Sequence, residues 1–572
     1  YSYRGFSEVG GCGSLLVSED NNKPFIGFHF SGHTAQADSR GCSVPLYAEA
    51  LAQLCPVEVM DVKEDERVLN VRPVQTLSGP HEYLGCVKKE LVPFQSVRSK
   101  IKPSVISGHL KSVAPVHTTP CALHPRDKRW QEAGIDQTPM FTGCEKHCMP
   151  CKDFPPKLLR PAVRFLETKI LFHAAPVLVN VGKRTVAEAV CGVIGNDLYP
   201  PIKMDTSTGW PWCVEHPKLR RPELLNPEYD DQQQMINVTM DQRLETVFRE
   251  KEEMRKQGIR PATIFWDHLK DERKLKEKAI KPGGTRIFSL SPLDFLIAYR
   301  QMNMDYDASW HKCWDKLGHA VGIAPDGPQW GQLAWQLLNK GTKFVCLDFS
   351  NFGPGLNASV AAQVENIHTK WYQHYQKDLP ETDTTTRLVM TEEIVNSAHL
   401  MNAYVYRVFS GIPSGHPGTT PLNTKCNQVY IWMAWLDLAP VELNTLAKFE
   451  EMCCLFTYGD DMIMSVSDEV VDWFNLQTII KFFARFDIKA TSASKDASES
   501  RPWMEIEECT FLKRGFVPHP ERSGQWLAPV DMRSVTDTAH WIHSSESDLA
   551  STQLNMEQSV RLAFGHGPEV FS

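Results

Sequence analysis

Cys453-Cys454-Leu455-Phe456-Thr457-Tyr458-Gly459-Asp460-Asp461-Met462-Ile463-Met464-Ser465-Val466 is an apolar run, a tight turn and a second apolar run. Two short apolar stretches about a glycine turn read as a β-hairpin, here with adjacent carboxylates at its tip. Like charges so placed repel, and a cation between them relieves the repulsion. Hard carboxylate oxygens suit Mg²⁺, and a further strand-end aspartate would complete a two-metal site. Lys343-Phe344-Val345-Cys346-Leu347 supplies one, as a buried strand that delivers Asp348 to its exposed end. Taken alone, Gly-Asp-Asp also suits an ordinary surface hairpin.

Between these elements lies Ser410-Gly411-Ile412-Pro413-Ser414-Gly415-His416-Pro417-Gly418-Thr419-Thr420-Pro421-Leu422-Asn423-Thr424. A glycine-rich opening followed by Thr and Asn at helical spacing fits a mobile loop, or simply a turn before a capped helix. Upstream, Lys270-Asp271-Glu272-Arg273-Lys274-Leu275-Lys276 begins a basic stretch that runs through Lys278 and Lys281 to Arg286. Arginine grips phosphate bidentately and lysine adds mobile charge. The interleaved Asp271, Glu272 and Glu277 would equally fit a solvated helical face. The turn Pro282-Gly283-Gly284 and the position ahead of Asp348 favour phosphate binding.

The whole chain bounds these readings. Its 572 residues exceed one compact core and imply two or more domains. Apolar content of 42% and charged content of 23% are those of a globular protein. No apolar run is long enough to span a bilayer as a helix. A net charge of −8 gives no global field for nucleic acid, so any such binding rests on local basic clusters. Sixteen scattered cysteines suit reduced thiols in a cytosolic setting. Tyr1-Ser2-Tyr3-Arg4 lacks an initiator Met and suggests a product cut from a longer precursor. Residues 1–55 read as paired strands, 56–103 as a charged, irregular linker or processing junction, and 158–190 and 236–257 as helices. Beyond Phe344, strands alternate with helices as in an α+β domain.

Together these segments resemble the palm motifs of viral RNA-dependent RNA polymerases, in the family's order. Asp348 matches motif A, Ser414, Gly415, Thr419 and Asn423 match motif B, and Tyr458 to Asp461 match motif C. Asp205-Thr206-Ser207-Thr208-Gly209-Trp210-Pro211 is similar to motif G and the Lys270 to Arg286 stretch to motif F. Lys495 stands where motif D carries its lysine, and Phe511-Leu512-Lys513-Arg514-Gly515-Phe516 resembles motif E. The likeness covers roughly 200–545 and fits picorna-like positive-strand viruses best, an insect-infecting iflavirus or a relative.

The resemblance implies an α+β right-hand polymerase: fingers at 76–290, palm at 291–383, a fingers insertion at 384–412, palm again at 413–516, and a shortened thumb at 517–572. It implies that Asp348, Asp460 and Asp461 hold Mg²⁺, with Mn²⁺ as a substitute. Lys270, Arg273, Lys276, Arg286, Ser414, Thr419 and Asn423 would bind nucleoside triphosphates. Thr206, Ser207, Gly209 and Gly415 would guide the RNA template and primer, and Lys495 would protonate the leaving pyrophosphate. Ser414 and Asn423 would read the ribose 2′-hydroxyl. The family often places a second aspartate five residues after the first; here that position is Gly353, with Asn351 a conceivable substitute. Other viral replication proteins are implied partners, at membrane-associated complexes in the host cytoplasm. A reverse transcriptase would share the paired aspartates but lack the Ser414 to Asn423 loop. A non-catalytic, RNA-binding precursor is the alternative of another class.

Gly10-Gly11-Cys12-Gly13-Ser14 resembles the nucleophile turn of chymotrypsin-like viral cysteine proteases, and His29 the histidine of their substrate pocket. Residues 1–75 would then be the end of a protease β-barrel plus a linker, inactive alone because its base and acid lie further upstream. Gln75 before Thr76 and Gln95 before Ser96 are candidate cleavage sites, and the stretch from Lys100 to Ile106 an early fingers strand, which favours the earlier cut. Cys144, His147, Cys148 and Cys151 are spaced loosely like a zinc knuckle, though reduced, unligated thiols are the expectation.

Overall fold

The computed structural model describes residues 65–71, 73, 75–149, 152–493 and 501–571 in full. Earlier in the chain it describes the backbone of the strands Ser2–Arg4, Leu15–Val17, Phe25–Gly32, Arg40–Pro45 and Met60–Asp61. The chain forms two compact units, Tyr1–Met60 and Asp61–Ser572. The smaller holds an antiparallel sheet in the order Ser2–Arg4, Arg40–Pro45, Phe25–Gly32, Leu15–Val17.

In the larger unit the elements that position the site run as follows. First come β1 (Val68–Leu69), β2 (His81–Val87), β3 (Ile101–Pro103), β4 (Thr118–Pro120) and α1 (Pro156–His173). Next are β5 (Ile264–Leu269), β6 (Arg273–Leu275), β7 (Ile287–Leu290), α2 (Leu293–Lys312), β8 (Lys343–Phe349), α3 (Ala358–Glu365) and α4 (Ile367–Tyr375). Then follow β9 (Ala398–Met401), β10 (Tyr404–Val408), α5 (Thr419–Leu438), β11 (Cys453–Tyr458), β12 (Asp461–Val466), α6 (Leu476–Ala484) and β13 (Ala490–Ser492). Last are α7 (Met532–His540), β14 (Trp541–His543) and α8 (Asp548–Ala563). Among the described residues no helix is long and apolar enough to cross a membrane.

Two sheets organise this unit. A four-stranded antiparallel sheet runs β11-β12-β8-β13, and a six-stranded sheet runs β7-β5-β9-β10-β2-β1. In β8, Phe344 to Leu347 are all buried, because both faces of this central strand are covered. Helix α5 packs on β11 and against α1 and α6, so one core runs through the four-stranded sheet and its helices. Early and late segments of this unit also meet: β3 pairs antiparallel with β14, Ile101 opposite His543.

Several sequence expectations shift. The supposed linker at 56–103 contains β1 and β2, where Val68 pairs with Val87 at the edge of the six-stranded sheet, with Asp65 and Arg67 just before that edge strand. The helix expected over 158–190 ends at His173, ahead of Pro176, which disfavours helix in the residue before it; a second helix starts at Val186 behind a Thr185–Glu188 capping box. The helix expected from 236 begins at Gln242, where the Asp241 side chain accepts from the Arg243 amide, and Met235–Val238 is a strand. The early strand near Lys100 forms, but its partner is β14 at the other end of the chain.

Arg67 ties this edge down, with Nε donating to Glu215 at 2.5 Å and the guanidinium 5.9 Å from the Trp210 ring. A deletion of residues 1–60 keeps β1 and this pair. Extending the deletion to residue 75 removes β1 and this pair and should lower stability by roughly 1–2 kcal/mol. Equal midpoints for the two deletions would contradict the placement of β1.

Candidate active site

The register of the four-stranded sheet builds the site. β8 and β12 pair antiparallel from Lys343 opposite Val466 to Leu347 opposite Met462. Carried one residue further, that register sets Asp348 beside Asp461. The β11–β12 hairpin closes with Tyr458 opposite Asp461, leaving Gly459 and Asp460 as a two-residue loop. Gly459 has φ +60, a conformation that favours glycine. Asp348 and Asp460 are exposed and Asp461 is half-buried at the same end of the sheet.

Burial, then the neighbouring Asp460 and Asp348 carboxylates, push Asp461 up from 3.8 to about 6, with Lys513 opposing. Uncompensated negative charge of this kind is what a divalent cation would satisfy, so three hard oxygen donors fit one. Among the described residues no group of three or more His, Cys, Asp or Glu side chains converges closely enough to hold a metal ion. Asp348, Asp460 and Asp461 thus share one end of the sheet without closing on a common point.

The basic stretch lies over this end. Lys270 N donates to Arg286 O, and Asp460 is among the charges that raise the Arg286 pKa, after the hydrogen bond from Arg286 to Glu272. That bond joins Arg286 Nε to Glu272 at 2.7 Å, with a second from Nη2, and Lys274 lies 3.4 Å from the same carboxylate. Burial works against the Glu272 carboxylate, but Arg286 and Lys274 outweigh it and hold its pKa down. Arg273 is committed elsewhere, its Nη1 pairing at 3.0 Å with Asp537 of α7. Lys276 opens a short exposed helix.

The loop 410–418 docks on β7. Ser414 Oγ accepts from Ser289 N at 3.1 Å, and a Cβ on Gly415 would sit 2.2 Å from Ser289 O, so only glycine allows this approach. Thr419 Oγ1 donates to His416 O at 2.8 Å, inside the loop. Asn423 Oδ1 is buried without a partner among the described residues. A Cβ placed on Gly353 would meet Asn423 Nδ2 at 3.8 Å, ordinary van der Waals contact. Asn351 turns instead toward Met149 Sδ, at 3.8 Å.

The 205–211 segment is held from behind. Arg221 donates to Ser207 O at 3.0 Å and to Lys203 O at 2.8 Å, and Thr206 Oγ1 bonds Lys203 O at 3.1 Å. Gly209 has φ +73, and a Cβ there would lie 2.4 Å from Ser291 O. Cys12, Lys495 and Cys151 lie outside the described residues, and of His29 only the backbone strand is described. Burial pushes the Cys144 thiol well up and Cys148 to about 12, and lowers His147 to about 4, so all three are neutral.

Sequence reasoning missed other residues here. Thr424 and Asn427 bond the backbone of the aspartate turn, and Lys513 contributes positive charge at Asp461. Beneath β7, Asp267 accepts from Ser289 Oγ at 2.7 Å and Tyr406 Oη at 2.6 Å, and pairs with His399 Nδ1 at 2.9 Å. Ser397 Oγ lies 2.8 Å from His399 Nε2, which gives a hydrolase-like Ser-His-Asp line. All three side chains are completely buried, so the line braces the sheet and offers no entry to substrate.

The viral RNA-dependent RNA polymerase family model matches residues 106–572, and the chain belongs to that family. It is 35% identical to the genome polyprotein of Deformed wing virus, covering all of this chain and 19% of the polyprotein. It is 25% identical to the genome polyprotein of Rice tungro spherical virus (strain Vt6), again over the whole chain and 17% of the polyprotein. The chain thus spans less than a fifth of each of these relatives. Among solved structures, a Sicinivirus 3Dpol RNA dependent RNA polymerase superposes with a TM-score of 0.69 at 22% identity. That match covers 86% of this chain and 92% of the other and establishes the fold.

The raised Asp461 pKa gives a signed prediction. Its charged form is disfavoured in the fold, so the destabilisation is full above about pH 6 and vanishes below the ordinary carboxylate value. In metal-free buffer Asp461→Asn should be more stable than wild type at pH 8, and the gap should close toward pH 4. Saturating Mg²⁺ should narrow it at pH 8. A pH-independent gap in thermal melts would contradict the raised Asp461 pKa.

Proposed function

We propose that the chain is a template-directed RNA polymerase that replicates a positive-strand viral genome by two-metal nucleotidyl transfer. The reading rests on one observation: Asp348, Asp460 and Asp461 share one sheet end, and Arg286 lies near enough to Asp460 to feel its charge. On this reading the four-stranded sheet is the palm, the six-stranded sheet belongs to the fingers, and the C-terminal helices begin the thumb. Asp348, Asp460 and Asp461 would hold two Mg²⁺ ions, or Mn²⁺. Bound there, the metals would activate the primer 3′-hydroxyl and neutralise charge on the leaving pyrophosphate.

The chain's own residues do the rest. Phosphoryl transfer needs positioning and charge more than covalent help. Arg286 and Lys270 grip the triphosphate, whose oxygens take the place of Glu272 on the guanidinium. Arg273, bound to Asp537, braces the basic stretch from the side. Asn423, with an unpartnered buried Oδ1 beside Gly353, accepts from the ribose 2′-hydroxyl. Ser414 and Thr419 shape that pocket. The 205–211 segment and Gly415 guide template, and Lys495 gives the pyrophosphate its proton, a role that needs a donor at the β-phosphate. Residues 1–60 are read as the end of a processing protease, with Cys12 the nucleophile and His29 in the substrate pocket. Other viral replication proteins would hold the chain at membrane-associated complexes in the host cytoplasm.

Primer extension on an RNA template with ribonucleotides and Mg²⁺ tests the reading. Wild type should extend, while Asp348→Ala and Asp460→Ala should lose at least about 10³-fold in rate with melting temperature unchanged or higher. Substantial extension by Asp348→Ala would overturn the metal assignment, and none by wild type would favour a binding-only precursor.

Asn423→Ala should cut the preference for ribo- over deoxyribonucleotides, read as a kcat/KM ratio, by at least about tenfold. An unchanged ratio would remove Asn423 from ribose recognition.

A further inference from the structure

Among the described residues, two side chains of α5 touch the aspartate turn without reaching the place a substrate would occupy. Asn427 Nδ2 donates to Gly459 O at 3.0 Å and Asp460 O at 3.1 Å, with Asp461 O at 3.5 Å. Thr424 Oγ1 accepts from Gly459 N at 2.8 Å, and its main-chain carbonyl accepts from Thr457 Oγ1 at 3.2 Å. Positions three apart share one helix face, and both side chains are completely buried. In a two-residue hairpin the central carbonyls have no ladder partner and ordinarily turn to water. Here a single amide captures them both.

The helix that carries this amide is itself held. Between the two residues, on another face of α5, Lys425 is wholly buried, with Nζ 3.0 Å from His368 Nε2 on α4 and 3.2 Å from Tyr306 Oη on α2. Rotation or sliding of α5 would strand that ammonium without partners, at a cost of several kcal/mol. The register of α5 is thereby pinned, and the turn with it.

We infer that Thr424 and Asn427 are positioning residues that fix the backbone at 459–461 and so set the metal affinity of Asp460 and Asp461. The inference rests on the proposed function. The loop's backbone carries both carboxylates, and a displacement near 1 Å at a reacting centre costs about 10²-fold in rate. Asn427 Oδ1 has no partner among the described residues, so Asn427→Leu removes only the donor bonds.

The full chain is compared as wild type, Asn427→Leu, Thr424→Val and Thr424→Ser. Mn²⁺ affinity is read by electron paramagnetic resonance, alongside kcat, KM for the nucleotide, primer–template affinity and melting temperature. Asn427→Leu and Thr424→Val should weaken Mn²⁺ binding by about tenfold and lower kcat by about 10²-fold. KM and RNA affinity should stay within about twofold, and Thr424→Ser, which keeps the hydroxyl, within about threefold of wild type throughout.

Folded Asn427→Leu and Thr424→Val proteins with wild-type metal affinity and kcat would overturn the inference and leave the proposed function standing. So would a Thr424→Ser protein as impaired as Thr424→Val, since packing rather than the hydroxyl would then matter. If Asn427→Leu fails to fold, the Thr424 pair decides. A wild type that binds no Mn²⁺ and extends no primer overturns the proposed function, and this inference with it.

Discussion

Repulsion among Asp348, Asp460 and Asp461 is the constraint on which the rest of the site depends. Close pairs of like charges cost on the order of 1–4 kcal/mol near a protein surface. The strands that carry them cannot part to relieve it. Phe344 to Leu347 of β8 and Met462 to Val466 of β12 are all buried, and each such apolar side chain contributes roughly 1.5–3 kcal/mol. Core burial thus outweighs the local penalty and holds the carboxylates together. Burial first, and that repulsion second, hold Asp461 above the ordinary carboxylate range.

Around that centre the supports are polar and long-range. The 410–418 loop meets β7 through Ser414 and Gly415, and β7 is tied through Ser289 to the buried Asp267, His399 and Tyr406. Burial alone would push Asp267 toward its neutral form, but the His399 charge and hydrogen bond outweigh it and keep it ionised. The basic stretch is anchored to the C-terminal helices through Arg273 and Asp537, and α5 through Lys425. Each tie fixes one wall around the same sheet end. Glu272 sits among the cations as a resident anion, paired with Arg286 and Lys274.

What was legible in the sequence was local. The 453–466 hairpin announced itself because two apolar runs flank a glycine turn, and Asp348 because an apolar run precedes it. The order of the motifs gave the family. The ties were not legible, since their partners are far apart in the chain: Asp267 and His399 are separated by 132 residues, Arg273 and Asp537 by 264. Lys425 reads as a surface residue in any composition-based view, and only the fold buries it. The stretch at 56–103 misled for a related reason, because charged residues at a sheet edge look like a linker. Asn427 was hidden by type, as its role lies in one amide meeting two carbonyls that the sequence does not mark.

The most direct measurement of the central claim is an anomalous difference map from crystals of the chain soaked with Mn²⁺ and a ribonucleoside triphosphate. Peaks at the end of the four-stranded sheet, within coordination distance of Asp348 and Asp460, are the result expected. An occupied triphosphate site with no peak at those aspartates, or metal bound only elsewhere, would contradict it.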